Sequence, residues 1–383
     1  MRGVGVLNIG LSIRGAGWHP ATRDADGFDP GEPRDWGALA GRADAAGVDL
    51  LSFEDGPALD GVSASFDSFA LANWLAPQTA RIGLLPTATI TALEPFHTAT
   101  AVATLDHTSQ GRAGVRLRVG LGDAEARAVG RDARISRAGL GSLTPDEISA
   151  AILPGFDEAW EFGQVLRLLW DSWEDDAEIR DLATGRFIDR DKIHNPGFRG
   201  HHFSVHGASI TPRPPQGQPP VLALAHQRIP YEFAAAVSDI VAITPFSGGD
   251  RERILVEVRE AADRVGREGA AIKVWGDVNV HFGRLNLDQF SSDAQLVAGS
   301  PGEVLEQLAA FAEGLDGIRV RPLDTNADTT IFLADVLPQL RSEVPTGRTL
   351  RDRLGLVPAP NQYVAAPAFT ADFRAAHRLE ASA

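Results

Sequence analysis

The sequence predicts an α/β fold, a (β/α)8 TIM barrel with a long insertion between strands 4 and 5. Three observations carry this: eight short apolar β-type runs, amphipathic helical stretches between them, and one interruption of roughly a hundred residues after the fourth run. The runs are 4–13, 48–53, 81–88, 114–119, 221–225, 239–244, 272–282 and 317–320. Helical stretches fall at 36–46, closed by Gly47, at 66–79, at 95–109, closed by Gly111, and at 251–265 before Gly266. Glycine at these stops supplies the left-handed residue that ends a helix. Strands alternating with helices predict a parallel sheet, and eight units favour a closed ring; an open doubly wound sheet is the alternative.

The insertion, 123–219, centres on an apolar helix at 156–173, where Phe156, Trp160, Val165, Leu169 and Trp173 recur near helical spacing and read as core packing. The segment 175–220, rich in charge, Pro, Gly and His, reads as an irregular lid over the barrel mouth. Residues 1–357 then form a single barrel with a short helix within 349–357, and the tail 358–383 is expected to clamp a neighbouring subunit.

A formal charge of −15, from 36 Lys and Arg against 51 Asp and Glu, argues against nucleic acid and anionic membranes and in favour of small-molecule partners. No cysteine is present, which excludes disulfides, thiolate nucleophiles and Cys-ligated metal. The first residues lead into a strand, and the apolar runs fall far short of the roughly 20 residues that span a bilayer. The expected location is the cytoplasm.

Reactive groups of such barrels come from the carboxyl ends of strands. After strand 1 stands Gly17-Trp18-His19-Pro20, an aromatic ring and an imidazole beside a rigid turn. Strand 2 ends in Glu54-Asp55, which either orient a ligand or cap the next helix. Strand 3 ends in small residues, Thr87 and Thr89, that let a flat ring approach the backbone. Strand 4 carries Arg116 and Arg118 before Gly120; Arg118 meets either a ligand or the carboxylates Glu54 and Asp55. In strand 7, Asp277, Asn279 and His281 alternate with Val278, Val280 and Phe282, so one polar face points into the barrel, for a site or as a self-satisfied layer. His194, His201, His202 and His206 fit no standard zinc spacing, and no metal is expected. Gly120-Leu121-Gly122 lacks the full dinucleotide fingerprint.

Beyond these residues, the chain resembles the bacterial luciferase-like superfamily, specifically its nitrilotriacetate and alkanesulfonate monooxygenase branch. The likeness rests on Glu94-Pro95-Phe96-His97, on 105–114 (LDHTSQGRAG), on Leu169-Trp170-Asp171-Ser172-Trp173, on Arg213-Pro214-Pro215-Gln216-Gly217 and on 349–356 (TLRDRLGL). The resemblance implies a two-component monooxygenase that takes reduced FMN from a separate flavin reductase and oxidises a small organic substrate with dioxygen. A deazaflavin-dependent oxidoreductase and a non-catalytic paralogue are the alternatives. It further implies that Glu54, Asp55, Thr87, Thr89 and Gly120 lie near the flavin and that the protein is a homodimer or homotetramer. Arg118 is a further candidate for cofactor contact, and Asp277, Asn279 and His19 are the polar groups expected closest to the reacting atoms. Asp277 and Asn279 stand where sulfonate-oxidising relatives carry Arg and His, so a neutral or cationic substrate is expected. Two departures concern the phosphate. The family's Gly-Ser-Ser turn is here Ala225-His226-Gln227-Arg228, and its phosphate-contacting Tyr is Phe156. Arg228, with His226 and Gln227, is the expected substitute; a weakly held phosphate and a barrel that has lost flavin binding are the alternatives.

Overall fold

Eight parallel strands form the ring in the computed structural model, which describes residues 6–24, 27–58, 64–120, 122–131, 143–283, 285–288 and 290–379. They are β1 (Asn8–Ile13), β2 (Leu50–Phe53), β3 (Gly83–Leu85, resuming as Thr87–Thr89), β4 (Val115–Arg118), β5 (Val221–Leu224), β6 (Ile240–Ile243), β7 (Lys273–His281) and β8 (Gly317–Pro322). Each pairs with its chain neighbours, and β8 returns to β1 with Asn8 opposite Gly317. The first half of β3 pairs with β2 and the second half with β4. Pro86 divides the halves because it has no N–H for a ladder, while its carbonyl still accepts from Arg116. The first run begins two residues outside the described part, since 4 and 5 are not among it. Residues 121, 132–142 and 380–383, from the glycine motif, the insertion and the tail, lie outside it too.

Helices α1 (Pro33–Ala45), α2 (Ser68–Leu75), α3 (Pro95–Thr108), α4 (Asp123–Ala128), α5 (Pro145–Trp170), α6 (Arg228–Val237), α7 (Gly248–Arg264) and α8 (Pro301–Phe311) surround the ring. Gly47 and Gly111 close α1 and α3 with φ of +83° and +84°, a conformation that costs a side chain dearly. Helix α5 begins eleven residues before the sequence suggested and contains Pro154. A capping box of Thr144 and Glu147 satisfies the first free N–H groups, and the helix continues through Pro154 into a part whose side chains, from Ile152 to Trp170, are largely buried.

Apolar strand residues facing outward pack on the helices in two large clusters. Inside the ring, the amino-terminal end is plugged by Trp275, Leu50, Leu222 and Ile240 together with Leu350 and Leu354. Leu350 belongs to α9 (Leu350–Arg353), which stoppers the barrel. The Trp275 ring occupies space left by Gly317, where an added Cβ would lie 2.6 Å from the indole and 2.9 Å from the Asn8 carbonyl oxygen. Backbone cannot yield as a flexible side chain would, so Gly317→Ala is expected to cost about 1–3 kcal/mol, read as a lower urea midpoint with an unchanged slope.

The tail packs on its own chain: Asn361 donates to the carbonyls of Asp171 and Trp173, Phe369–Thr370 pairs with Glu268–Gly269, and Arg374 grips Asp157 at 2.7 and 2.9 Å. One expectation is corrected: the segment 175–220 is no lid. It runs along the barrel flank, where His194 stacks on Tyr363 and Gln216 binds Asp106 and the Ala113 carbonyl near the amino-terminal end. Burying those polar anchors fixes the segment on the side wall. No described helix is long and apolar enough to cross a membrane.

Candidate active site

Side-chain alternation places the polar residues of β2, β4, β7 and β8 inside the barrel, above the apolar plug. Val278, Val280, Ile318 and Val320 face the helices, so Asp277, Asn279, Arg319 and Arg321 face inward. Register then puts Asp277 opposite Arg319. Arg319 donates to Asp277 from Nε and Nη2 at 2.8 and 2.5 Å, and Arg321 donates to it from Nε and Nη2 at 3.0 and 2.5 Å. Burial alone would raise the Asp277 carboxyl, but the two guanidiniums outweigh it and hold it far below the usual carboxylate range.

The lattice continues toward the mouth. Glu54 takes Arg116 at 2.9 Å and Arg319 at 3.5 Å, and accepts the Ser12 hydroxyl at 3.0 Å. Burial opposes its charge, and Arg116 and Arg319 overcome that to keep it ionised. Arg116 is pushed down to about 10 by burial, with Glu54 restoring part of the loss, so it stays cationic near neutrality. Arg118 pairs with Glu125 of α4 at 2.5 Å, and Arg321 reaches Asp293 at 2.6 Å while lying 4.4 Å from the Trp18 ring centre.

Above this lattice opens a cavity of about 530 Å³, at the carboxyl end of the strands. One wall is apolar, made by Phe156, Leu224, Phe233 and Val119; the other presents Glu54, Asp55, Arg116, Arg118 and Arg321. His226 and Asp293 also line it, with side chains 45 % and 46 % exposed. His226 Nδ1 lies 3.0 Å from the Thr244 hydroxyl and Nε2 lies 3.6 Å from Asp293. The walls around His226 lower its pKa, against an opposing pull from Asp293, which leaves a neutral imidazole near pH 7.

Of the residues singled out in the sequence, Glu54, Asp55, Arg118 and His226 line this cavity. Thr87 and Thr89 stand behind its wall, where their hydroxyls accept from Arg116 and Arg118 at 3.3 Å. Gly120 lies against Thr89, which an added Cβ would meet at 2.7 Å. Five residues fall elsewhere. Asp277 is fully buried beneath the arginines. Asn279 donates to Ser292 and to the Ala294 carbonyl, fixing the loop that carries Asp293. His19 contacts the Asn286 carbonyl, accepts the Ala21 N–H and stacks on Phe290. Gln227 and Arg228 are exposed at the start of α6, off the cavity wall. The sequence reading missed Arg319, Arg321 and Asp293. Arg319 and Arg321 alternate with Ile318 and Val320 in the same manner as the polar face of β7, and that signal was present; Asp293, in a loop, gave none. Among the described residues no group of three His, Asp or Glu is arranged to hold a metal.

The (β/α)8 ring recurs in solved structures. EDTA monooxygenase from Chelativorans sp. BNC1 superposes with a TM-score of 0.76 over 93 % of this chain and 100 % of that one, at 20 % identity. N-acetyl-S-(2-succino)cysteine monooxygenase of Bacillus subtilis (strain 168) is 29 % identical over 280 residues, covering 70 % of this chain and 59 % of that protein. Nitrilotriacetate monooxygenase component A of Aminobacter aminovorans is 33 % identical over 215 residues, covering 56 % and 44 %. The chain thus matches about half the length of these two curated relatives. The sequence profile of luciferase-like monooxygenases matches residues 13–286, a span that holds β2 to β7 and most of the cavity wall, and the chain belongs to that family.

Proposed function

We propose that this chain is the oxygenating component of a two-component flavin-dependent monooxygenase, taking reduced FMN from a flavin reductase and oxidising a small organic substrate. The observation that carries the reading is the cavity at the carboxyl end of a luciferase-like barrel, part apolar and part charged. A volume of about 530 Å³ suits a flat tricyclic ring, within the usual range of ligand sites. A reduced flavin supplies two electrons, so that one oxygen atom of dioxygen enters the substrate and the other leaves as water.

The residues of this chain would then act by position. Phe156, Leu224 and Phe233 exclude water from one side. Arg116 and Arg118, held by Glu54 and Glu125, present fixed donors on the other. His226, neutral and oriented by Thr244, can accept a proton at Nε2 beside Asp293. Arg116, Arg118 and Arg321 are each committed to a carboxylate, which favours a neutral or cationic substrate over a strong anion. The phosphate fit is thinner. Helix α6 starts at Gln227 without a side-chain cap, and Pro230 removes one of its first N–H donors.

Anaerobic titration of the full chain with reduced FMN, reduced riboflavin and reduced deazaflavin tests the reading. At a hundred times its dissociation constant, the bound cofactor should add about 2.7 kcal/mol of stability. Phe156→Tyr places a hydroxyl on the cavity wall and is expected to tighten FMN about 3- to 10-fold without changing riboflavin. Binding of deazaflavin alone would replace this reading with a hydride-transferring oxidoreductase, and no binding by any of the three would end it.

A further inference from the structure

The amino-terminal end of the barrel, opposite the candidate active site, holds a second cavity of about 180 Å³. Its wall carries Arg267, Lys273 and Arg351 against one carboxylate, Asp239. That carboxylate is already saturated: it accepts from Arg351 at 3.0 Å, from Arg167 at 3.2 Å and from the Val221 N–H at 2.9 Å. Lys273 spends one of its three donors on Asp316 at 3.1 Å. Arg267 binds only carbonyls, those of Ala270, Ala235 and Ser238, and lies 3.8 Å from the Phe369 ring centre. Among the described residues no carboxylate lies within ion-pair distance of it, and Asp239 acts on it only from farther off.

Three cations line the cavity against one carboxylate, in a chain whose net charge is −15; Asp239 is shared with Arg167 behind the wall, and Lys273 has Asp316. Surplus positive charge in a partly desolvated pocket is costly unless an anion joins it. Burial lowers Arg267 to about 10, with the charge of Asp239 offsetting part of the loss. The volume admits a carboxylate or phosphate group and is too small for a flavin, whose sites start near roughly 300 Å³. Leu356 and Val357 of the segment leading into the tail complete the wall, and Phe369 of the tail stacks on Arg267.

We propose that this lower cavity is an anion site, separate from the candidate active site, which takes the phosphate or carboxylate group of a small metabolite and staples the tail to the barrel.

The test is thermal unfolding of the full chain in inorganic phosphate and, separately, acetate, each against sodium chloride at equal ionic strength. A saturable Tm rise of about 3 °C is expected with at least one of the two, and the anion that produces it identifies the head group. Lys273 lies 31 % exposed, so Lys273→Gln should fold and weaken the response at least tenfold. Arg118→Gln, which alters only the upper cavity, should leave it intact. A rise equal in all three salts, one that survives Lys273→Gln, or one lost in Arg118→Gln would overturn the proposal.

Discussion

Replacing Asp277 by Asn is expected to destabilise the protein by about 3–5 kcal/mol, the cost of breaking a buried ion pair and leaving charge behind. Arg319 and Arg321 are 0 % and 1 % exposed, and each directs two donors at the Asp277 carboxylate. An amide offers one oxygen and no charge in its place. Arg319 would retain Glu54 at 3.5 Å and Ser52 at 3.1 Å, and Arg321 would retain Asp293, so the ring should close with a weakened interior. The control is Asp293→Asn on the same arginine. Its carboxylate is half exposed, and the loss there should stay below about 1 kcal/mol. Urea unfolding followed by tryptophan fluorescence reads both variants. Equal costs for the two would show that the lattice carries no special share of stability.

Acid should unfold the protein between about pH 4 and pH 2, through two buried carboxylates held near pKa 2. Burial opposes the charge of Asp157, but His202 and Arg374 outweigh it and bring it to about 2. Asp239 reaches about 2 in the same way, with Arg351 and Arg167 overcoming burial. A folded pKa below the ordinary value of 3.8 means that the stabilisation is full above about pH 4 and lost as pH falls through 2. Each group is worth about 2 kcal/mol over that window. Asp106 has the opposite sign: burial raises it to about 6 despite the Gln216 and Ala113 donors, so its contribution falls as pH rises from about 4 to 6. Denaturant midpoints from pH 2.5 to 6 should therefore pass through a maximum near pH 4 to 5 in this range. A stability flat from pH 4 to 2.5 would show that Asp157 and Asp239 do not tie the tail and the barrel floor together.

Much of the architecture was legible along the chain. The eight strands lie within or beside the runs read from the sequence, because the face that each strand turns to the helices must be apolar whatever its inner face carries. The strand ends pointed to Glu54, Asp55 and Arg118 for a related reason: charge at the end of a buried strand needs a use. Helix α5 is longer at its start than the apolar spacing of Phe156 to Trp173 suggested, because its first turns are held by a Thr144 and Glu147 capping box and carry little apolar signal. The lid over 175–220 failed as well. Its charge and proline content described an irregular chain, and nothing local said which wall it would follow.

The sequence by itself determined the ring, its order and the polar character of its inner face, since alternation and apolar length follow from covalent geometry. Only the tertiary structure decided which of those polar residues meet the cavity. Asp277 and Arg319 lie side by side because β7 and β8 pair in one register, and a carboxylate flanked by two guanidiniums is consumed by them. His226 and Asp293 come from distant loops, and they approach because the barrel closes. Pairing energies between residues far apart in sequence depend on distance and burial, and neither exists until the chain has folded.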